Sequence, residues 1–132
     1  MDLPDISLRL PGPGGTGQRE WMVTNGLGGY AAGRLGGGVA RRHDGLLVAA
    51  LPGFGRTILL DRLDEQVHLP GGGSFALDQA LVEVRLELGL PVWRFARDGI
   101  ALERRLVMPW RQNTTLIAWR RLDRGGEPLL LE

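Results

Sequence analysis

Cysteine is absent from this chain, and so is lysine. The first absence excludes disulfides and thiolate metal sites, and it fits a reducing compartment, so a cytoplasmic location is expected. The second means that all 16 basic residues are arginine. With 21 glycines and little asparagine or tyrosine, this is the pattern of a GC-rich coding sequence, which makes arginine abundance weak evidence for arginine chemistry. No apolar run is long enough for a membrane: the longest, Leu46–Leu51, falls far short of the roughly 20 residues of a spanning helix. The opening MDLPDISLRL carries acids and a proline where a signal peptide has its apolar core. Charge of one sign is not in excess either. A net charge of +1 gives no overall attraction to nucleic acid or to an anionic membrane surface. Finally, no segment offers a long apolar helical stripe bounded by caps.

What remains is a chain of 132 residues, 43% hydrophobic and 23% charged, enough for one domain with a real core. Residues 1–19 hold Pro4, Pro11 and Pro13 and the run PGPGGTG, which reads as a flexible segment, with a short strand near Ile6–Leu10. Glu20–Thr24 reads as a strand, Asn25–Gly29 as a tight turn and Tyr30–Leu35 as a second strand, stopped by Gly36–Gly38. His43-Asp44-Gly45 is a turn before the buried strand Leu46–Leu51, which Pro52-Gly53 ends. Arg56–Leu69 reads as a strand broken near Asp61–Asp64, and Pro70–Gly73 as a turn. Ala80–Leu88 alternates with period two, so a half-buried strand is expected with Val82, Val84 and Leu86 on its apolar face. Val92–Ala96 and Ile100–Met108 flank Asp98-Gly99, the signature of a type I′ hairpin. Thr114–Leu122 and Pro128–Glu132 complete the strands. Many short strands with Gly/Pro turns predict an all-β, antiparallel sandwich.

The chemistry-bearing residues exclude more than they suggest. Gly26-Leu27-Gly28-Gly29-Tyr30-Ala31 follows a strand and fits G-x-G-x-x-A, but a dinucleotide site needs a helix next. Gly33 and Gly36–Gly38 would break one, so no nucleotide cofactor is expected. His43 and His68 lack the spacing of a zinc site, and no serine sits in a nucleophile elbow. Asp61, Asp64 and Glu65 could suggest a glycosidase pair, but nothing sets two of them face to face, and they read as a solvated strand end. In Arg41-Arg42, Arg104-Arg105 and Arg120-Arg121, neighbours on a strand point to opposite faces. One of each pair therefore turns inward and needs a carboxylate. Among the aromatics Trp21, Tyr30, Trp93, Trp110 and Trp119, those inside strands (Trp93 and Trp119) read as core. Trp21 and Tyr30, flanking the glycine turn, are the better candidates for a sugar-stacking surface.

The stretch from Glu20 to Leu51 carries E-W-x-V-T-N-G-L-G-G-Y-A-x-G, then G-x-x-x-R-R, then G-L-L-V-A-A-L. It resembles the amino-terminal domain of the bacterial and archaeal glycogen debranching enzymes of the amylo-α-1,6-glucosidase type. Gly55–Leu60 followed by Asp64-Glu65, and Phe95 through Asn113-Thr114, resemble later parts of that domain. The family's usual R-R-Y-H-G-L-L is Arg41-Arg42-His43-Asp44-Gly45-Leu46-Leu47 here, so an aromatic-histidine pair is replaced.

The resemblance implies a supersandwich-like β-sandwich over residues 20–132 that precedes a catalytic (α/α) toroid. By the same resemblance the toroid, with its catalytic carboxylates, is expected to lie outside these 132 residues. The family's sandwich is longer than this chain, so an incomplete sandwich is expected, with Pro128–Glu132 stopping mid-strand. The whole enzyme's reaction would be hydrolysis of α-1,6-linked glucose at branch stubs of glycogen. For this chain the expectation is a non-catalytic domain without cofactor or metal, supporting the toroid in the same or a neighbouring chain. Its candidate α-glucan contacts are Trp21, Asn25, Tyr30, Arg41, Arg42 and Asp44. The alternatives are a stand-alone α-glucan-binding module, which needs an exposed aromatic platform, and a structural domain that pairs with a second copy through an open sheet edge.

Overall fold

The computed structural model describes residues 6–8, 19–37 and 40–132. The flexible segment expected at residues 1–19 lies outside these, apart from its short strand and Arg19. Alternating apolar and polar positions and closely spaced glycine turns give twelve strands in the described residues. They are β1 (Ile6–Leu8), β2 (Glu20–Thr24), β3 (Tyr30–Arg34), β4 (Gly45–Leu51), β5 (Gly55–Leu60), β6 (Gln66–His68), β7 (Ser74–Ala76), β8 (Leu81–Glu87), β9 (Leu90–Arg97), β10 (Ile100–Val107), β11 (Leu116–Arg121) and β12 (Leu130–Leu131). The only helical piece among them is a single 3₁₀ turn, Leu77–Ala80. No helix of the described residues is long and apolar enough to cross a membrane.

The strands form antiparallel sheets ordered β1-β8-β9-β10-β11, β12-β6-β7 and β2-β3-β4-β5. The fold is therefore all-β and antiparallel, as expected for a sandwich class. The chain divides into two compact units. One is built from β1, Asp64–Arg105 and Trp119–Glu132, the other from the stretch ending at Leu63 and from Leu106–Ala118.

In the first unit the core is Val67, Phe75, Leu77, Val84, Val92, Trp93, Phe95 and Leu102. Two tight hairpins set its register. Arg97 pairs with Ile100 around Asp98-Gly99, whose φ angles of 51° and 77° are those of the expected type I′ turn. Glu87 pairs with Leu90 around Leu88-Gly89 in the same geometry, φ 51° and 79°. The composition hid this second hairpin because leucine is a poor residue for a left-handed position. The alternation expected along β8 also slips. Leu81 pairs with Phe95 and Glu83 with Arg94, which leaves Val82 as an extra residue. This bulge turns Val82 outward, 41% exposed, while Val84 is buried as expected.

One face of the five-stranded sheet is charged. Glu83, Arg94 and Glu103 make one cross-strand row, and Arg85, Val92 and Arg105 the next. Glu103, 2% exposed, accepts from Arg85 Nη2 at 2.9 Å, Arg105 Nε at 2.8 Å and Arg120 Nη2 at 3.1 Å. Glu87 accepts from Arg85 Nε at 2.8 Å and also from Arg105. Burial works to raise the Glu103 carboxyl, but hydrogen bonds from Arg105 and Arg85 and the charges of Arg105 and Arg120 outweigh it, so its pKa lies below the ordinary value. Glu87 is lowered by the bonds from Arg105 and then Arg85.

The opposite face carries Arg104, stacked 4.5 Å from the Trp93 ring centroid and 5.3 Å from that of Phe95. Glu65 accepts from its Nη1 at 2.9 and 3.1 Å. Arg121 likewise holds Asp123, at 2.9 Å. The inward member of two arginine pairs thus has the carboxylate that its burial requires. Glu65 corrects one expectation: it does not belong to a solvated strand end but to this half-buried pair. Trp119, expected in the core, is 37% exposed.

In the second unit β2–β5 form a meander. Along β2 the alternation is strict, with Trp21 and Val23 inward and Met22 outward. Ala31, Ala32, Val48 and Ala49 are buried beside them. Among the described residues β5 is flanked by β4 alone. It leaves Ile58, Leu59 and Leu60 exposed, with Phe54 in the turn before it.

Candidate functional site

The sequence places its most specific stretch on the β2–β3 turn, and in the second unit that turn is organised by Asn25. This residue is 0% exposed. Its Oδ1 accepts the N–H of Leu27 at 2.9 Å and of Gly29 at 3.1 Å, which closes an Asx-type turn. Its Nδ2 donates to the Gln112 carbonyl and to Asn113 Oδ1, both at 3.0 Å. Its own carbonyl accepts from Arg111 N–H at 2.6 Å, and its N–H donates to the Gly29 carbonyl at 3.2 Å. Both amide protons and both lone pairs of the side chain are engaged. Asn25 and Asn113 are the only two asparagines in the chain, and they bond to each other.

Glycine is required at two places here. A Cβ at Gly29 would come within 2.8 Å of both Asn25 Nδ2 and the Val48 carbonyl. At Gly26, with φ +76°, a Cβ would fall 2.3 Å from the Trp110 ring. The indole of Trp110 therefore lies on bare turn backbone, and it is 72% exposed. The next residue, Arg111, is exposed and has φ 56°, a left-handed conformation uncommon outside glycine.

The remaining candidates fall nearby or inside. Tyr30 is half-buried. Its hydroxyl donates to the His43 carbonyl at 2.7 Å, and the Arg56 guanidinium sits 5.6 Å from its ring centroid. Arg56 Nε also donates to the Gly28 carbonyl at 3.2 Å, tying β5 to the turn. Asp44 is buried and its Oδ2 accepts the N–H groups of Ala40 and Arg41, each at 2.8 Å, so it shapes the loop before β4. Arg41 reaches Glu20 at 3.0 Å with both side chains exposed, a pair worth about 0–1 kcal/mol. Arg42 is exposed. Trp21 is 8% exposed, which corrects the expectation that its ring faces outward: it sits on the inward phase of β2.

The structure thus sets Asn25 at the centre of one hydrogen-bonded loop system and ties Tyr30, Asp44 and Arg41 to the loop before β4, while it puts Trp21 into the core. Sequence reasoning did not single out the 109–113 loop as part of this system. The signal was the rarity of asparagine, present once in each loop. The glycine pattern opens a strand, Tyr30–Arg34, where a dinucleotide fingerprint requires a helix. Among the described residues no group of three His, Cys, Asp or Glu side chains could hold a metal ion.

Comparison with curated proteins and with solved structures finds no match. The family model described as glycogen debranching enzyme N terminal matches residues 19–132. That span includes the whole Asn25 loop system and both units' sheets except β1, and the chain belongs to the glycogen debranching enzyme N-terminal family.

Proposed function

We propose that this chain is a non-catalytic domain of a glycogen-debranching-type glycoside hydrolase. It supports a helical catalytic toroid in the same or a neighbouring chain and presents the Asn25 loop system to α-glucan. The observation that carries the non-catalytic reading is the state of the buried acids. Glycoside hydrolysis needs one carboxylic acid kept protonated and a second carboxylate across the sugar. The two buried carboxylates among the described residues are Asp44 and Glu103. The first is bound by two backbone amides, the second by three arginines that hold its pKa down. A carboxyl held down in this way does not suit a general acid, and the Asp44 side chain is engaged by the backbone of its own loop. The supporting role draws on β5, which among the described residues is flanked by β4 alone and whose exposed apolar side chains suit burial against another domain.

The test is incubation of the chain with a phosphorylase limit dextrin, with glucose release measured. No glucose above the blank is expected, and release at a rate typical of hydrolases would sink the non-catalytic reading. Native electrophoresis through a glycogen-containing gel tests the glucan contact, where retardation is the expected result.

A further inference from the structure

We infer that Trp110 is a stacking platform for one glucose ring of an α-glucan chain. This inference rests on the glucan-contacting reading above and names the residue that makes the contact. Trp110 is 72% exposed, whereas tryptophan is highly buried on average.

Its loop is held in place. Pro109 precedes it with a fixed φ, and the Pro109 carbonyl accepts from Gln112 N–H at 3.2 Å. Three further bonds tie Arg111, Gln112 and Asn113 to the buried Asn25. The ring itself is seated on Gly26, where no other residue leaves room for it. An apolar plane is thereby fixed before any ligand arrives, and preorganisation of this kind reduces the entropy lost on binding.

The polar groups beside it suit a sugar. Arg111 and Gln112 follow Trp110 directly and are exposed. The pyranose C–H face covers an indole, while forked guanidinium and amide groups match its hydroxyls. Arg111 holds a left-handed φ of 56° in a loop where glycine would be unstrained. Local strain of this sort collects at ligand clamps. The rival aromatics are less suited: Trp21 is in the core, and Tyr30 has its hydroxyl on the His43 carbonyl and Arg56 over its ring.

The experiment uses the full chain as wild type, W110A, W110Y and W119A, in glycogen-containing native gels and in titrations with maltoheptaose. Glycogen is expected to retard the wild type. W110A should bind about tenfold more weakly or lose retardation, W110Y should recover most of it, and W119A should match the wild type. Equal unfolding midpoints for W110A and wild type would show that a contact, and not the fold, was lost. Retardation that survives in W110A would overturn the assignment to Trp110 and leave the glucan-contacting reading standing. A wild-type chain that runs unretarded would overturn both. If W110A instead loses association with a helical toroid domain while keeping glycogen affinity, the ring is a protein contact and the inference fails.

Discussion

The two units solve the same problem with different chemistry. Each buries a polar side chain at the centre of its network. In the first unit it is a charged carboxylate, Glu103, neutralised by three arginines from three different strands. In the second it is a neutral amide, Asn25, with both protons and both lone pairs engaged by loop groups. The ionic hub binds strand to strand across a sheet face. The amide hub binds loop to loop and so fixes a surface. A neutral amide needs no counter-ion and responds little to pH or salt, which suits a hub whose task is to hold a loop in one shape. The charged hub lies on a sheet face that is already rigid, and its arginines are what make a buried acid tolerable.

The largest effect is expected at Glu103. E103A leaves Arg85, Arg105 and Arg120 facing one another without their shared acceptor. A loss of about 2–3 kcal/mol is expected, less than for a fully buried pair because Arg105 and Arg120 reach water. Chemical denaturation measures it, and raised salt should shrink the difference. The sign with pH follows from the lowered carboxyls. Glu103 and Glu87 have folded pKa values below the ordinary 4.5. Their contribution is therefore complete above that value and is lost as pH falls through the folded values. Wild type and E103A should converge in acid, and a constant gap down to the acid transition would refute the ionic account.

The next effect is at Asn25. N25A strands the amides of Leu27 and Gly29 and the Gln112 carbonyl, at a cost of about 2 kcal/mol. Unlike that of E103A, this deficit should persist unchanged across pH 4–8 in the same denaturation series. A deficit that follows pH would erase the contrast between the hubs. The smallest effect is a gain. L88N places a residue that tolerates left-handed φ into the Leu88-Gly89 turn, and should stabilise by about 0.5–1 kcal/mol. A loss measured there would mean that the exposed leucine makes a contact that the turn geometry does not explain.

Much of the fold was legible in local pattern. Asp98-Gly99 announced its hairpin, Glu20–Thr24 its strand and Asn25–Gly29 its turn, because each is decided by residues within a few positions. The inward member of two arginine pairs was foreseeable from strand geometry, whereas Arg41 and Arg42 lie in a loop and are both exposed, against the expectation that one of them turns inward. The partner of the inward arginine was not foreseeable, since Glu65 and Arg104 stand 39 residues apart and no local spacing links them. Val82 was misjudged because a bulge resets the alternation without any glycine to mark it. Leu88-Gly89 was missed because its first residue is the wrong type for its φ. In the candidate site the turn was visible, but its clamp comes from a loop 87 and 88 residues away in the chain. Trp110 therefore stood as one aromatic among several until Gly26 was seen beneath it.

That separation has a consequence for biosynthesis. Each unit is assembled from early and late stretches of the chain, so neither can be completed while only the first half has emerged from a ribosome. The β2–β5 meander can pair within itself, but the Asn25 amide lacks its Gln112 and Asn113 partners until 88 more residues have been added. At roughly 5–20 residues per second, the nascent chain carries an unclamped turn for about 4–18 s. Over that interval the turn lacks its clamp, which makes the arrival of residues 109–113 the step that locks its shape.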